Sequence, residues 1–215
     1  MRKQIKMKLG CLVAAMMLAM TAVAAQGMGI YAGVNLGYGQ FGFADQDDWD
    51  EVITPRFRAF ALTPVVGITP FQGNGNFVLE RLAFEFQLAM KFGKWSYYWA
   101  NLRGNEIRPG LLAKFNFSIA DWAALFGGSG PAWGDRLVTF GGLGFGIPIR
   151  TVKLSYDGIY DGVESKASDV GFQLLMEYGL AFKINDKFSV NAAAGFGFIG
   201  PFTYDLTLGA AYHFR

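Results

Sequence analysis

From Met28 onward the chain alternates between large apolar residues and small or polar ones. Ile30, Ala32, Val34, Leu36 and Tyr38 share one parity, and Tyr31, Gly33, Asn35, Gly37 and Gly39 the other. A period of two puts successive side chains on opposite faces of an extended segment, so this stretch predicts a strand with two unlike faces. The same alternation returns around Leu82–Phe92, Ile107–Phe117, Phe172–Phe182, Phe188–Phe198 and Tyr204–Phe214.

Two further stretches are less regular. Over 57–68, Phe60, Leu62, Val66 and Ile68 share a face with Pro64. Over 138–154 the parity changes between Val138, Phe140 and Leu143, Phe145, Ile147, Ile149, with Gly141-Gly142 placed where a β-bulge would absorb an extra residue. Eight strands are expected, with ten as the alternative. Turn residues separate them at Pro70 to Asn76, Asn185-Asp186-Lys187 and Gly200-Pro201. If the chain starts on the periplasmic side, 42–55, 93–105 and 156–168 become long outer loops. One inner connection, Ser118 to Asp135, is too long for a turn. Ile119, Trp122, Leu125 and Phe126 stand in it at helical spacing, so it reads as an interfacial amphipathic helix or as a missed hairpin.

The first residues follow a different grammar. Arg2, Lys3, Lys6 and Lys8 precede an apolar run from Leu9 to Met20 and the small residues Thr21-Ala22-Val23-Ala24-Ala25, the layout of a cleaved secretory signal over 1–25, leaving 26–215 as the mature part. Cys11, the one cysteine of the chain, lies inside that run, so disulfide and thiol chemistry are not expected in the mature fold. The signal holds four of the 19 Lys and Arg and none of the 17 Asp and Glu, which leaves 15 basic against 17 acidic residues. A mature charge of −2 gives no electrostatic case for a nucleic-acid partner.

The composition of the two faces decides what surrounds the barrel. The apolar face carries too many Phe, Tyr, Leu and Met to fit inside a tube of eight strands, whose interior side chains just fill. The other face is mostly Gly, Ala, Ser and Asn with few charges, unlike a water-facing surface. Both facts are met by an all-β, closed antiparallel transmembrane β-barrel with hydrocarbon outside. Strands of about 11 residues, tilted near 45°, span roughly 25 Å, the height of an outer-membrane apolar band.

Thr207-Leu208-Gly209-Ala210-Ala211-Tyr212-His213-Phe214 resembles the C-terminal signal that outer-membrane proteins present to the barrel-insertion machinery. Thr207 supplies the polar position, Gly209 follows two later, and the aromatics Tyr212 and Phe214 close it; Arg215 departs from the pattern by following the final Phe. The mature chain as a whole resembles the small bacterial outer-membrane barrels of the OmpA-domain, OmpX and OmpW type. That resemblance implies export to the outer membrane, lipid as the surrounding partner, and either a lumen filled by side chains with loops for surface interaction or a narrow channel for small or apolar solutes.

Six charges fall on the lumen face: Glu85, Lys91, Arg108, Lys114, Glu177 and Asp205. Glu85 should oppose Lys114 across a hairpin centred near Trp99, with Lys91 and Arg108 as neighbours nearer the outer mouth. Buried charges must find partners, so a structural plug is expected; an electropositive, ion-selective or ligand-binding mouth is the alternative.

Other candidates give way to simpler readings. Asp45, Asp47, Asp48, Asp50 and Glu51 lack the spacing and central Gly of an EF-hand and read as a solvated loop. Gly195 to Gly200 fits G-x-G-x-x-G, but Pro201 follows where a helix should start, so no dinucleotide site is expected. Trp95, Tyr97, Tyr98 and Trp99 read as an interfacial aromatic girdle. With His213 as the one histidine, at the inner end, no catalytic triad is expected and no cofactor is implied.

Overall fold

The computed structural model describes residues 29–42, 56–97, 100–156 and 164–214. Its strands are β1 (Gly29–Gly42), β2 (Arg56–Thr69), β3 (Leu82–Tyr97), β4 (Ala100–Ser118), β5 (Leu137–Gly146), β6 (Ile149–Tyr156), β7 (Glu164–Val170), β8 (Gln173–Lys183), β9 (Phe188–Phe198) and β10 (Thr203–Phe214). One short helix, α1 (Ile119–Leu125), follows β4, and a single 3-10 turn (Leu79–Arg81) precedes β3. All strand pairs are antiparallel. The ring runs β1-β2-β3-β4-β5-β8-β9-β10 and closes through β1 and β10, with Ile30 opposite Phe214 and Gln40 opposite Tyr204.

The ten segments make eight staves. β5 and β6 lie along β4 in one unbroken register, with Gly110 opposite Gly146 and Ile107 opposite Ile149. β8 and β7 continue each other in the same way against β5 and β6. The ladder is interrupted because Pro109 on one stave and Pro148 on the next both fall in this gap and have no N–H to donate. The Ile147 N–H still reaches the Pro109 carbonyl at 3.0 Å, and the Gly171 N–H reaches that of Pro148 at 3.0 Å.

Outward positions carry the bulk. Leu208 is 70% exposed, and Val34, Leu36, Phe60, Phe86, Leu143, Phe145, Leu174 and Phe182 are open on the same surface. Aromatic rings meet near both rims: Tyr212 lies edge-on to Phe188 and Phe214 at 5.0 and 4.9 Å, and Phe198 lies 5.7 Å from Phe202 at the opposite end. Inward positions are mostly small, polar or charged, with a few large apolar residues such as Phe41, Phe57 and Leu112 among them. An outer surface this apolar, on a sheet whose backbone groups pair around a closed ring, is the form a β-structure takes in hydrocarbon.

Three expectations are corrected. No bulge occurs at Gly141-Gly142: β5 keeps one register against both neighbours, and Val138 and Phe140 turn inward. Phe140 is accommodated because it lies across Gly179, where a Cβ would collide with its ring. Residues 93–105 are not a long loop: β3 and β4 stay paired from Gly93 opposite Gly104 to Tyr97 opposite Ala100. Residues 164–168, expected in a loop, begin β7, which pairs with β6.

The 118–135 connection resolves as a helix. Ser118 caps α1, its Oγ accepting the Asp121 N–H at 3.0 Å while the Asp121 carboxylate accepts the Ser118 N–H at 2.8 Å, a reciprocal capping box. Trp122 anchors the helix to the wall by donating Nε1–H to Thr139 Oγ1 at 2.8 Å and by packing 5.3 Å from the Phe117 ring. Leu125 and Phe126, the latter 85% exposed, point away.

Replacing Leu208, at the middle of β10, by Arg should destabilise the barrel by about 2–4 kcal/mol in a bilayer, the range for a cation on the lipid face at mid-depth. Urea unfolding in lipid vesicles measures it; an unchanged midpoint would place this face elsewhere than on lipid.

Candidate functional site in the barrel lumen

The lumen is occupied in layers between two ends: the terminal end, where β1 begins and β10 finishes, and the loop end, where β1 leads to 43–55. At the loop end Phe41 of β1 and Phe57 of β2 are fully buried with stacked rings 5.1 Å apart. Ala59 and Val152 complete this layer, with Leu102 against it. Gly104 of β4 makes it possible, since a side chain there would press into both rings.

Below the aromatics lies a closed ionic cluster. Lys91 Nζ stands 3.3 Å from Oε1 of Glu106, its cross-strand neighbour on β4, and 2.8 Å from Oδ1 of Asp205 on β10, across the lumen. Arg150 Nε donates to Glu106 Oε2 at 2.8 Å and its Nη1 to Asp169 Oδ2 at 3.2 Å. Arg108 donates to Asp205 at 3.1 Å, Thr203 Oγ1 at 3.0 Å and Gln173 Oε1 at 3.2 Å. Gln173 in turn donates to the Pro201 carbonyl at 3.0 Å, tying the cluster to the β9–β10 turn. Three cations meet three carboxylates, so the cluster is neutral. The Coulomb energy of such pairs offsets the cost of removing each ion from water only where the geometry is close, and each of these charges has an oppositely charged partner within 3.3 Å.

A second cluster sits nearer the terminal end. Lys114 Nζ lies 2.6 Å from Glu85 Oε1 and 2.6 Å from Glu177 Oε1, with the Phe140 ring centre 4.9 Å away. Tyr31 donates its hydroxyl to Glu85 at 2.8 Å, and Gln87 donates to Glu85 at 2.8 Å. Tyr31 reaches in by lying across Gly67, whose lack of a side chain leaves the space.

Beneath this cluster the lumen opens into a vestibule of about 430 Å³, bounded by Ser189, Asn191, His213, Lys183 and the rim residues Arg81, Asp121 and Asp135. Ser189 Oγ stands 2.9 Å from His213 Nε2, a serine–histidine contact that faces the lumen, with Ser189 itself buried. At the rim Arg81 bonds to Asp121 of α1 and lies 4.3 Å over the Phe77 ring. Partial burial raises the Asp121 carboxyl, but the hydrogen bonds from Arg81 and from Ser118 outweigh it and hold it below the usual carboxylate range.

The six charges expected on the lumen face all lie buried inside the barrel, in two groups: Lys91, Arg108 and Asp205, and Glu85, Lys114 and Glu177. Glu85 and Lys114 meet as a diagonal pair, Lys114 standing directly opposite Ala83. Lys91 and Arg108 share a cluster without touching, each drawn to Glu106 and Asp205. Sequence reading misses Glu106, Arg150, Gln87, Tyr31 and Asp169 as parts of these clusters. Parity carries a signal for two of them: Glu106 is two residues before Arg108, and Arg150 follows the lipid-facing Ile149. Of the C-terminal motif, Gly209 sits between Asn35 and Asn191 on the neighbouring strands, Thr207 lies opposite Gly37 and Ala193, and Tyr212 and Phe214 form the aromatic edge already described. The acidic residues 45–51 and the pair Tyr98-Trp99 lie outside the described residues, while 95–97 belong to β3.

Fold and lumen together define a transmembrane β-barrel of eight staves. No protein-family model matches the chain, and no curated protein sequence matches it. Among solved structures the chain is similar to Neisserial surface protein A, with a TM-score of 0.51 at 10% identity over 86% of this chain and 96% of that one. It is also similar to a major outer membrane protein from Thermus thermophilus, with a TM-score of 0.53 at 10% identity over 87% of this chain and 99% of that one. The shared feature is the fold, that of small bacterial outer-membrane barrels.

Replacing Lys114 by Met leaves Glu85 and Glu177 buried without their cation and should cost about 3–5 kcal/mol. Adding Glu85→Gln to that variant should restore part of the loss, read as the difference in urea unfolding free energy; equal losses in both would mean that the pair is not coupled. The rim gives a pH test. Because the Asp121 carboxyl is depressed in the fold, its contribution to docking α1 is present above the unfolded value and is lost as pH falls through the folded one, so it should disappear below about pH 4. Trp122 emission should shift over that window in the wild type and stay flat in Asp121→Asn.

Proposed function

We propose that the protein is a non-enzymatic barrel of the bacterial outer membrane, exported by a cleaved signal over 1–25, whose lumen is sealed and whose activity lies on its loop-end surface. The observation that carries this reading is the double closure of the lumen: the buried Phe41–Phe57 stack lies directly over the neutral cluster of Lys91, Glu106, Arg108, Arg150, Asp169 and Asp205. An ion entering from the loop end would have to part the rings and then break pairs whose members have no water to replace them, a cost of several kcal/mol per ion. The void beneath Arg108 and Asp205 holds about 20 Å³, room for a single water at most.

Placement in the outer membrane is supported by the apolar band on the barrel and by the two similar structures, one a surface protein and one a major outer membrane protein. The C-terminal motif at Thr207, Gly209, Tyr212 and Phe214 suits recognition by the insertion machinery during biogenesis. A surface role fits the unequal rim, where β3, β4, β6 and β7 extend beyond the short β9–β10 turn. The non-enzymatic reading is favoured because the Ser189–His213 contact lies in the terminal-end vestibule, away from the loop end.

Purified barrel in a planar bilayer should give no discrete conductance steps, while Phe41→Ala combined with Lys91→Ala should give them. Steps from the wild type would overturn the sealed lumen in favour of a narrow channel for small solutes.

A further inference from the structure

The two ionic clusters of the lumen differ in one unit of charge. The loop-end cluster balances three cations against three carboxylates, whereas Glu85 and Glu177 share the single ammonium of Lys114. All three are buried, and the Tyr31 and Gln87 hydrogen bonds to these carboxylates bring no charge. The rim does not make up the difference, since Arg81 and Lys183 there are outnumbered by Glu80, Asp121 and Asp135. One negative charge is thus left on buried carboxylates at the inner end of the vestibule, an arrangement that burial disfavours unless a cation joins it.

The vestibule wall supplies the remaining ligands. Asn35 Oδ1 and Asn191 Oδ1 are buried and accept no hydrogen bond among the described residues. They belong to neighbouring rows, Asn35 and Asn191 standing on either side of Gly209 on β10, and Asn35 is 5% exposed. Its side-chain oxygen lies over Gly209, where a Cβ would collide with it, so glycine at 209 keeps that space clear. Asn35 and Glu177 both line the vestibule and the small void above it, so the unpartnered amide oxygen and the unbalanced carboxylates border the same spaces.

The geometry points to a binding site for a compact monovalent cation in this vestibule, with Glu85 and Glu177 supplying the charge and the Asn35 and Asn191 carbonyl oxygens supplying uncharged ligands. Oxygen donors suit a hard ion, and a single surplus charge matches one positive charge rather than two. The vestibule also admits the ion with part of its water shell. Such a cation binds the folded barrel only, so it stabilises the fold by mass action.

The test is the urea midpoint of the purified barrel in sodium, potassium or tetramethylammonium chloride at equal ionic strength. It is run at one fixed pH near 8 in all three salts. The expected result is a higher midpoint in sodium or potassium than in tetramethylammonium. The folding constant should rise about ten-fold for each ten-fold increase of the free cation concentration above its dissociation constant. That dependence should vanish in Glu177→Gln and weaken in Asn35→Ala; if either fails to fold, Asn191→Ala serves in its place. Crystals soaked in rubidium should show an anomalous peak between Glu177 and Asn35. The same midpoint in all three salts would overturn the proposal. So would a midpoint indifferent to the cation but falling above neutral pH, which would assign the missing charge to a proton shared by Glu85 and Glu177.

Discussion

Hydrocarbon offers no hydrogen-bond partner, and the rest of this structure follows from that constraint. A sheet in lipid must leave no unpaired edge, so β1 must meet β10 and the ring must close. Closure sorts the two parities of each strand into unlike environments. Leu36, Phe86, Leu143, Leu174 and Leu208 become the exterior because lipid accepts them, and the narrow interior admits glycine, alanine and asparagine with a few long polar chains.

The interior sets its own condition. Each charge that enters the lumen loses its water and must be answered by another strand, so the ionic clusters act as cross-braces. Glu106 of β4 receives both Lys91 of β3 and Arg150 of β6, while Asp205 of β10 receives Lys91 and Arg108 from the far wall. Apolar and ionic closures are stacked because each needs the other: the Phe41–Phe57 layer keeps water from the pairs beneath it, and low water content makes those pairs strong.

Most of the barrel is legible in the alternation of residues, because lipid on one side and a thin lumen on the other impose an unusually sharp contrast. The stave count and the inward placement of Glu85, Lys114 and Asp205 follow from parity alone. Phe140 escapes that reading because a large aromatic on the lumen face breaks the size rule; its place depends on Gly179, a residue on another strand that no local pattern connects to it. Glu106 escapes it because β4 extends past the apolar span, where Asn105, Arg103 and Asn101 make the outward parity polar too, and Arg150 escapes it because its partners Glu106 and Asp169 stand on other strands. The clusters need cross-strand register, which is set by closure and not by any single segment.

The proline break between β5 and β6 has an evolutionary corollary. Because Pro109 and Pro148 interrupt the ladder without shifting its register, the pairing beyond them resumes in step with the part embedded in hydrocarbon. Residues can be gained or lost in matched pairs at the tip of this hairpin while the staves below keep their alignment. The breakpoint therefore works as a modular joint, permitting the exposed crown to diversify under selection while the embedded cylinder stays constant.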